Sequence, residues 1–176
     1  DAASSRLSTL RNTLPPSNVQ AVVQTERMDA LVKLKTEDYA GARDAYERLL
    51  AADPDNLEVL NNLAYILAKN LEDPRAALPL AKRAAELAPD NAAVLDTLGW
   101  TYYQVNQVRE ARRTLEDSVR IEALPVNTQH LARIYTDDGD TSRARRLLEQ
   151  SVELADRAGD SDLADESREY LQKLAR

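Results

Sequence analysis

The sequence predicts an all-helical protein built from repeated helix pairs, and three observations carry that expectation. Glycine occurs four times and phenylalanine never in 176 residues, while 43% are hydrophobic and 30% charged, so turn formers and strand formers are scarce. Ala42, Ala77, Ala111 and Ala144 recur 35, 34 and 33 residues apart, each opening a run of small and apolar residues at helical spacing. Asp53-Pro54-Asp55-Asn56 and Pro89-Asp90-Asn91 punctuate the units. Proline cannot continue the helix behind it, and Asp or Asn caps the next one.

Residues 1–17 read as the tail of a preceding helix or an N-terminal extension, with Ala3, Leu7 and Leu10 at helical spacing and Pro15-Pro16 as the stop. The chain begins without methionine, so it is expected to be a C-terminal fragment of a longer protein; a processed terminus or a frayed arm is the alternative. The first unit spans 18–56. In it Ser17 caps a helix to about Lys35 with apolar positions Val19, Val22, Val23, Ala30, Leu31 and Leu34, followed by Ala42-x3-Tyr46-x2-Leu49.

The second unit, 57–91, places Leu60, Leu63, Ala64 and Leu67 on one helix and Ala77, Ala81 and Ala84 on the next. The third, 92–124, uses Leu95, Leu98, Gly99 and Tyr102, then Ala111 and Leu115. The fourth, 125–158, uses Leu131, Ala132 and Tyr135, a turn at Gly139-Asp140, then Ala144, Leu148 and Ser151. Residues 159–176 form a capping helix: Ser161 is its cap, and Leu163, Ala164, Ser167, Tyr170, Leu171 and Leu174 lie on one stripe with charges opposite. Ala64, Gly99, Ala132 and the recurring alanines let helix backbones approach closely.

The run Leu95-x2-Leu98-Gly99-x2-Tyr102, then Ala111-x3-Leu115, then Ala123, resembles one unit of the tetratricopeptide repeat family, whose pattern is W-x2-L-G-x2-Y, A-x3-F and P over about 34 residues. The resemblance implies a right-handed superhelical solenoid of antiparallel helix pairs whose first helices line a concave groove. The stretch Leu57 to Ala123 is also similar to bacterial members of the family, some of them repeat lipoproteins of exopolysaccharide and envelope systems.

By that resemblance the groove positions of successive units are Asn61, Asn62, Tyr65 and Lys69; Asp96, Trp100 and Tyr103; and Gln129, His130 and Arg133. Tyr, Trp and Arg offer large contact area with a polar handle, the composition of binding hot spots. The expected function is therefore a non-catalytic scaffold that binds a peptide or helical segment of another protein. Tyr65, Trp100, Tyr103 and Arg133 would supply the contact and Asn61, Asn62 and Gln129 the amide bonds. For Trp100 and Tyr103 the competing expectation is packing between successive first helices. A second functional reading is an assembly module that self-associates end to end or through its convex face.

Other classes are excluded on composition and spacing. A net charge of −7 opposes nucleic acid and anionic membrane surfaces. No apolar run reaches the roughly 18 residues of a membrane span. Without cysteine there are no disulfides or thiolate sites, which fits cytoplasm and bacterial periplasm or envelope equally. His130 is the only histidine, and the acidic run Asp137-Asp138-Gly139-Asp140 lacks the calcium-loop spacing, so neither metal, cofactor nor catalysis is expected. The family's carboxylate clamp, which holds chaperone tails, is also absent. Asn62 matches it in one register, but Ala93 and Thr97 stand where its cations belong, and a buried carboxylate would lack a partner.

Overall fold

A computed structural model describes Arg6, Leu7, Thr9, Thr13 and residues 19–174. Ser17, Pro15-Pro16, Ala3 and Leu10, on which the N-terminal expectations rested, lie outside the described residues. The chain is all-α as expected. Its helices are α1 Val19–Lys35, α2 Tyr39–Ala52, α3 Leu57–Lys69, α4 Pro74–Leu87, α5 Ala92–Gln104, α6 Val108–Ile121, α7 Pro125–Asp137, α8 Thr141–Ala158 and α9 Ser161–Leu174. They fall into two compact units, Asp1–Leu87 and Ala88–Arg176.

The sequence starts its helices with a repeated device. Asp38, Asn56, Asn91 and Asp140 each accept a bond from the backbone N–H three residues on, at 3.0, 3.2, 3.2 and 3.0 Å, which satisfies a donor that the helix cannot. Asp160, not Ser161, caps α9 in this way, accepting from Leu163 at 3.1 Å; Ser161 is the first helical residue.

In the first unit α1 packs on α2, α2 on α3 and α3 on α4. Ala42, Ala45, Ala77, Ala81 and Ala84 are fully buried, and Tyr46, Leu49, Leu60 and Leu63 fill the space between the close backbones. The apolar positions expected for α1 need correcting. Ala30 is buried as expected, but Leu31 is 55% exposed, and the polar Thr25, Glu26 and Asp29 are buried in its place. Two cations make this phase possible: Arg48 of α2 donates two bonds to Glu26, at 2.9 and 2.8 Å, and Lys33 bonds Asp29 at 2.8 Å.

In the second unit α5 packs on α6 and α7, and α9 covers α8 and α7. Ala111, Leu115, Leu131, Ile134, Tyr135 and Ala144 form its core. A Cβ added at Gly99 would sit 2.6 Å from Cγ of Leu115, so glycine is what lets α5 and α6 meet. Two serines pin this packing at one repeat position. Ser118 donates to the carbonyl of Ala92 and Ser151 to that of Pro125, each at 2.7 Å. Both acceptors are first residues of a helix.

Candidate functional site

Each unit gathers part of the expected surface. In the first, Asn62, Tyr65 and Lys69 follow one another along α3 at spacings of three and four, which places them on a common face. Tyr65 is 36% exposed, and the Lys69 ammonium lies 5.3 Å from its ring centre. Asn62 donates to the Tyr46 hydroxyl at 3.5 Å, and burial pushes that hydroxyl above its ordinary pKa. Asn61 points its Oδ1 into a buried position with no hydrogen-bond partner among the described residues.

Asn62, Tyr65 and Lys69, joined by Leu34, Tyr39 and Asn70, line an open pocket of about 380 Å³. Its volume falls within the ~300–1,000 Å³ of ordinary ligand clefts. Two tyrosine rings form walls, two amides offer paired donors and acceptors, and one cation stands at the edge.

In the second unit the expected residues form a continuous stack. Tyr103 and Trp100 have ring centroids 5.0 Å apart at 26°, and Trp100 stacks on His130 at 4.1 Å and 11°. Beyond the histidine, its Nδ1 lies 2.8 Å from Oδ1 of Asp96. At the other end the Tyr103 hydroxyl donates to Asp137, which also pairs with Nε of Arg133 at 3.5 Å. Burial first, and then the Asp137 carboxylate, raise the Tyr103 hydroxyl above its usual range. The Arg133 guanidinium lies 5.7 Å from the Tyr170 ring of α9.

Not all of these residues face solvent. Asp96, Gln129 and His130 are 4%, 6% and 7% exposed, against the expectation that they line a groove. Internal bonds account for their burial, since Asp96 and His130 bond one another and Gln129 donates to Ser167 of α9 at 3.1 Å. Trp100 does pack between first helices, yet it and Tyr103 keep part of their surface exposed. Arg133 has 44% of its side chain accessible. Two contributors, Tyr39 and Tyr170, were missed by sequence reasoning because they lie outside the first-helix positions considered. Asp137, which shares a helix face with Arg133 at four-residue spacing, falls on a groove position of the repeat.

Comparison with known proteins decides the family. Three family models, each described as tetratricopeptide repeat, match residues 27–93, 71–124 and 129–162. The chain belongs to the tetratricopeptide repeat family. A TPR repeat-containing protein of Pseudomonas aeruginosa is 33% identical over 86 residues, which cover 49% of this chain and 15% of that protein. The human antiviral innate immune response effector IFIT1 is 25% identical over 133 residues, 70% of this chain and 28% of the other. The chain thus spans less than a third of either relative's length.

Among solved structures, a thermophilic TPR protein of Thermus thermophilus superposes with a TM-score of 0.67 at 20% identity, covering 96% of this chain and 95% of that one. MamA of Desulfovibrio magneticus gives 0.65 at 15%, covering 91% and 98%. YrrB, described as a TPR protein with an unusual peptide-binding site, gives 0.64 at 21%, covering 84% and 74%. At these identities the likeness establishes the fold. Among the described residues no helix is long and apolar enough to cross a membrane.

Proposed function

We propose that this tetratricopeptide repeat chain is a non-catalytic scaffold that holds a peptide or helical segment of a partner protein against its first helices. The observation that carries this reading is the pocket in the first unit, where Asn62, Tyr65 and Lys69 converge with Tyr39 around about 380 Å³. An amphipathic side chain of the partner fits it: a flat apolar part between the tyrosines and a polar end reaching the amides or Lys69. In the second unit, the open edge of the Trp100–Tyr103 stack and the Arg133 guanidinium offer a contact of the same character. The peptide-binding site described for YrrB on a similar fold supports the reading.

Affinity capture by the wild-type chain, followed by titration of the purified partner against Tyr65→Ala and Trp100→Ala, tests it. A partner bound at least tenfold more weakly by Tyr65→Ala, at unchanged melting temperature, supports the pocket. Full affinity in both variants overturns the first-helix surface as the binding face.

A second reading, self-association, has its own support in the exposed Met28 and Leu31 of α1, one helical turn apart. A second copy would cover them. Light scattering across concentration checks this: a dimer that Leu31→Glu dissolves supports it, and a monomer throughout removes it.

A further inference from the structure

The second unit contains a pocket that the first-helix surface does not use. It has a volume of about 380 Å³ and is lined by Leu131 and Tyr135 of α7 and by Arg143, Arg146, Leu147 and Gln150 of α8. At about 100° per helical residue, Leu131 and Tyr135 lie roughly 150° around α7 from His130, Arg133 and Asp137. One helix therefore serves two separate faces.

The floor is apolar and rigid: Leu131 and Tyr135 are 4% and 7% exposed, and the Tyr135 hydroxyl is fixed by donating to Glu116 at 2.6 Å. Two guanidinium groups stand over this floor. Arg143 lies 5.2 Å from the Tyr135 ring centre and pairs with Asp140 at 3.3 Å. Arg146 is exposed and has no ion-pair or hydrogen-bond partner among the described residues. In a chain of net charge −7, an unpaired cation over an apolar floor is a local reversal of sign.

The fold itself does not call for these arginines. At the same repeat positions the first unit carries Ala76 and Pro79; the corresponding groove there does contain a guanidinium, that of Arg43, but it comes from α2 and is paired with Asp44. A repeat that folds with alanine and proline at these places needs no guanidinium there.

We propose that this pocket binds a short acidic segment of a partner protein in which a Glu or Asp stands beside an aliphatic residue. The carboxylate engages Arg146 and Arg143 through charge-assisted bonds, and the neighbouring aliphatic side chain rests on Leu131, Leu147 and the Tyr135 ring. A pocket of this volume admits one or two side chains, which selects an extended segment over a folded surface. Repulsion from the remaining acidic surface is screened beyond about 8 Å at physiological salt, so it does not prevent contact inside the pocket.

The probe is the capped peptide Glu-Leu-Glu-Leu-Glu, titrated into the full isotope-labelled chain and read by amide chemical shifts, with Lys-Leu-Lys-Leu-Lys as its charge-reversed control. The expected result is saturable shifts at Leu131, Tyr135 and Leu147 with the acidic peptide only. Arg146→Glu should weaken binding about tenfold or more and Arg146→Gln severalfold, whereas Arg145→Glu, one residue along the same helix, should change it less than about twofold. Shifts absent from these residues, equal shifts with the lysine peptide, or equal losses in Arg145→Glu and Arg146→Glu would each overturn the proposal. So would a concentration-dependent dimer that Arg146→Glu abolishes, because a second copy would then be the occupant.

Discussion

Glu26 and Arg48 show how one pair of residues sets the placement of a helix. Glu26 is 5% exposed, and Arg48 donates two bonds to its Oε2, at 2.9 and 2.8 Å. Asp29 beside it, 4% exposed, is held by Lys33 and lies 3.7 Å from Arg48. Removing one partner of such a pair leaves a carboxylate desolvated without compensation, which costs about 3–5 kcal/mol for a fully buried pair and less here because Arg48 itself is 41% exposed. Arg48→Ala is therefore expected to lower stability by about 2–3 kcal/mol in urea unfolding, and adding Glu26→Gln should recover part of the loss. This arrangement was not legible in the sequence, since charges at helical spacing read as a solvent face. Gly99 was legible as a close-approach residue. Gly99→Ala would press a methyl group onto Leu115, which is fully buried, at a cost of about 1–3 kcal/mol set against about 1 kcal/mol of improved helix propensity. A lower melting temperature is expected, and an unchanged or raised one would show that α6 yields.

Between the two helices of each repeat the chain turns through one residue of left-handed backbone. Glu37, Glu72, Asn106 and Gly139 have φ of 59°, 53°, 63° and 79°. They recur 35, 34 and 33 residues apart, the same spacings as the buried alanines. The residue after each of three of them closes the turn by bonding five residues back: Asp38 to Lys33, Gln107 to Tyr102 and Asp140 to Tyr135, at 2.8, 2.9 and 2.9 Å. Gly139 announced its conformation in the sequence and Asn106 did so less strongly, because glycine and then asparagine enter this region at the least steric cost. Glu37 and Glu72 carry no such signal. Strain of about 1–2 kcal/mol at each exceeds the roughly 0.4–1 kcal/mol that glycine adds to unfolded-chain entropy. Glu72→Gly is accordingly expected to raise stability by up to about 1 kcal/mol and Gly139→Ala to lower it by about 1 kcal/mol, both read by urea unfolding. Gly139 has no atom within 4 Å of its added Cβ, so its loss would report backbone strain alone.

For the whole molecule, the repeat period made the helices, their order and their small-residue contacts readable, because each rests on local spacing. The site was less readable, because which first-helix residues stay open depends on partners from other helices: Ser167 takes in Gln129, and Asp96 takes in His130. Electrostatic pairing and burial also set the molecule's pH limits. Arg83 and Arg43 hold the exposed Asp55 and Asp44 carboxyls below their usual range by direct hydrogen bonds. A depressed carboxyl contributes stability above its unfolded pKa of about 3.9 and loses it as pH falls through the folded value. Burial raises the hydroxyls of Tyr46, Tyr103 and Tyr135, so the folded state keeps those protons after an unfolded chain would release them near pH 10. That contribution is complete below about pH 10 and is lost as pH rises through the folded values. The melting temperature is thus expected to fall below about pH 4 and above about pH 10, more steeply on the alkaline side where the groups are buried. Phenolate absorbance should show at least three of the seven tyrosines ionising late, together with loss of helix. Tyr103→Phe should remove one late phenol and soften the alkaline fall, since it deletes the hydroxyl that must ionise beside Asp137. A single ordinary titration of all seven with the helix intact would refute this account.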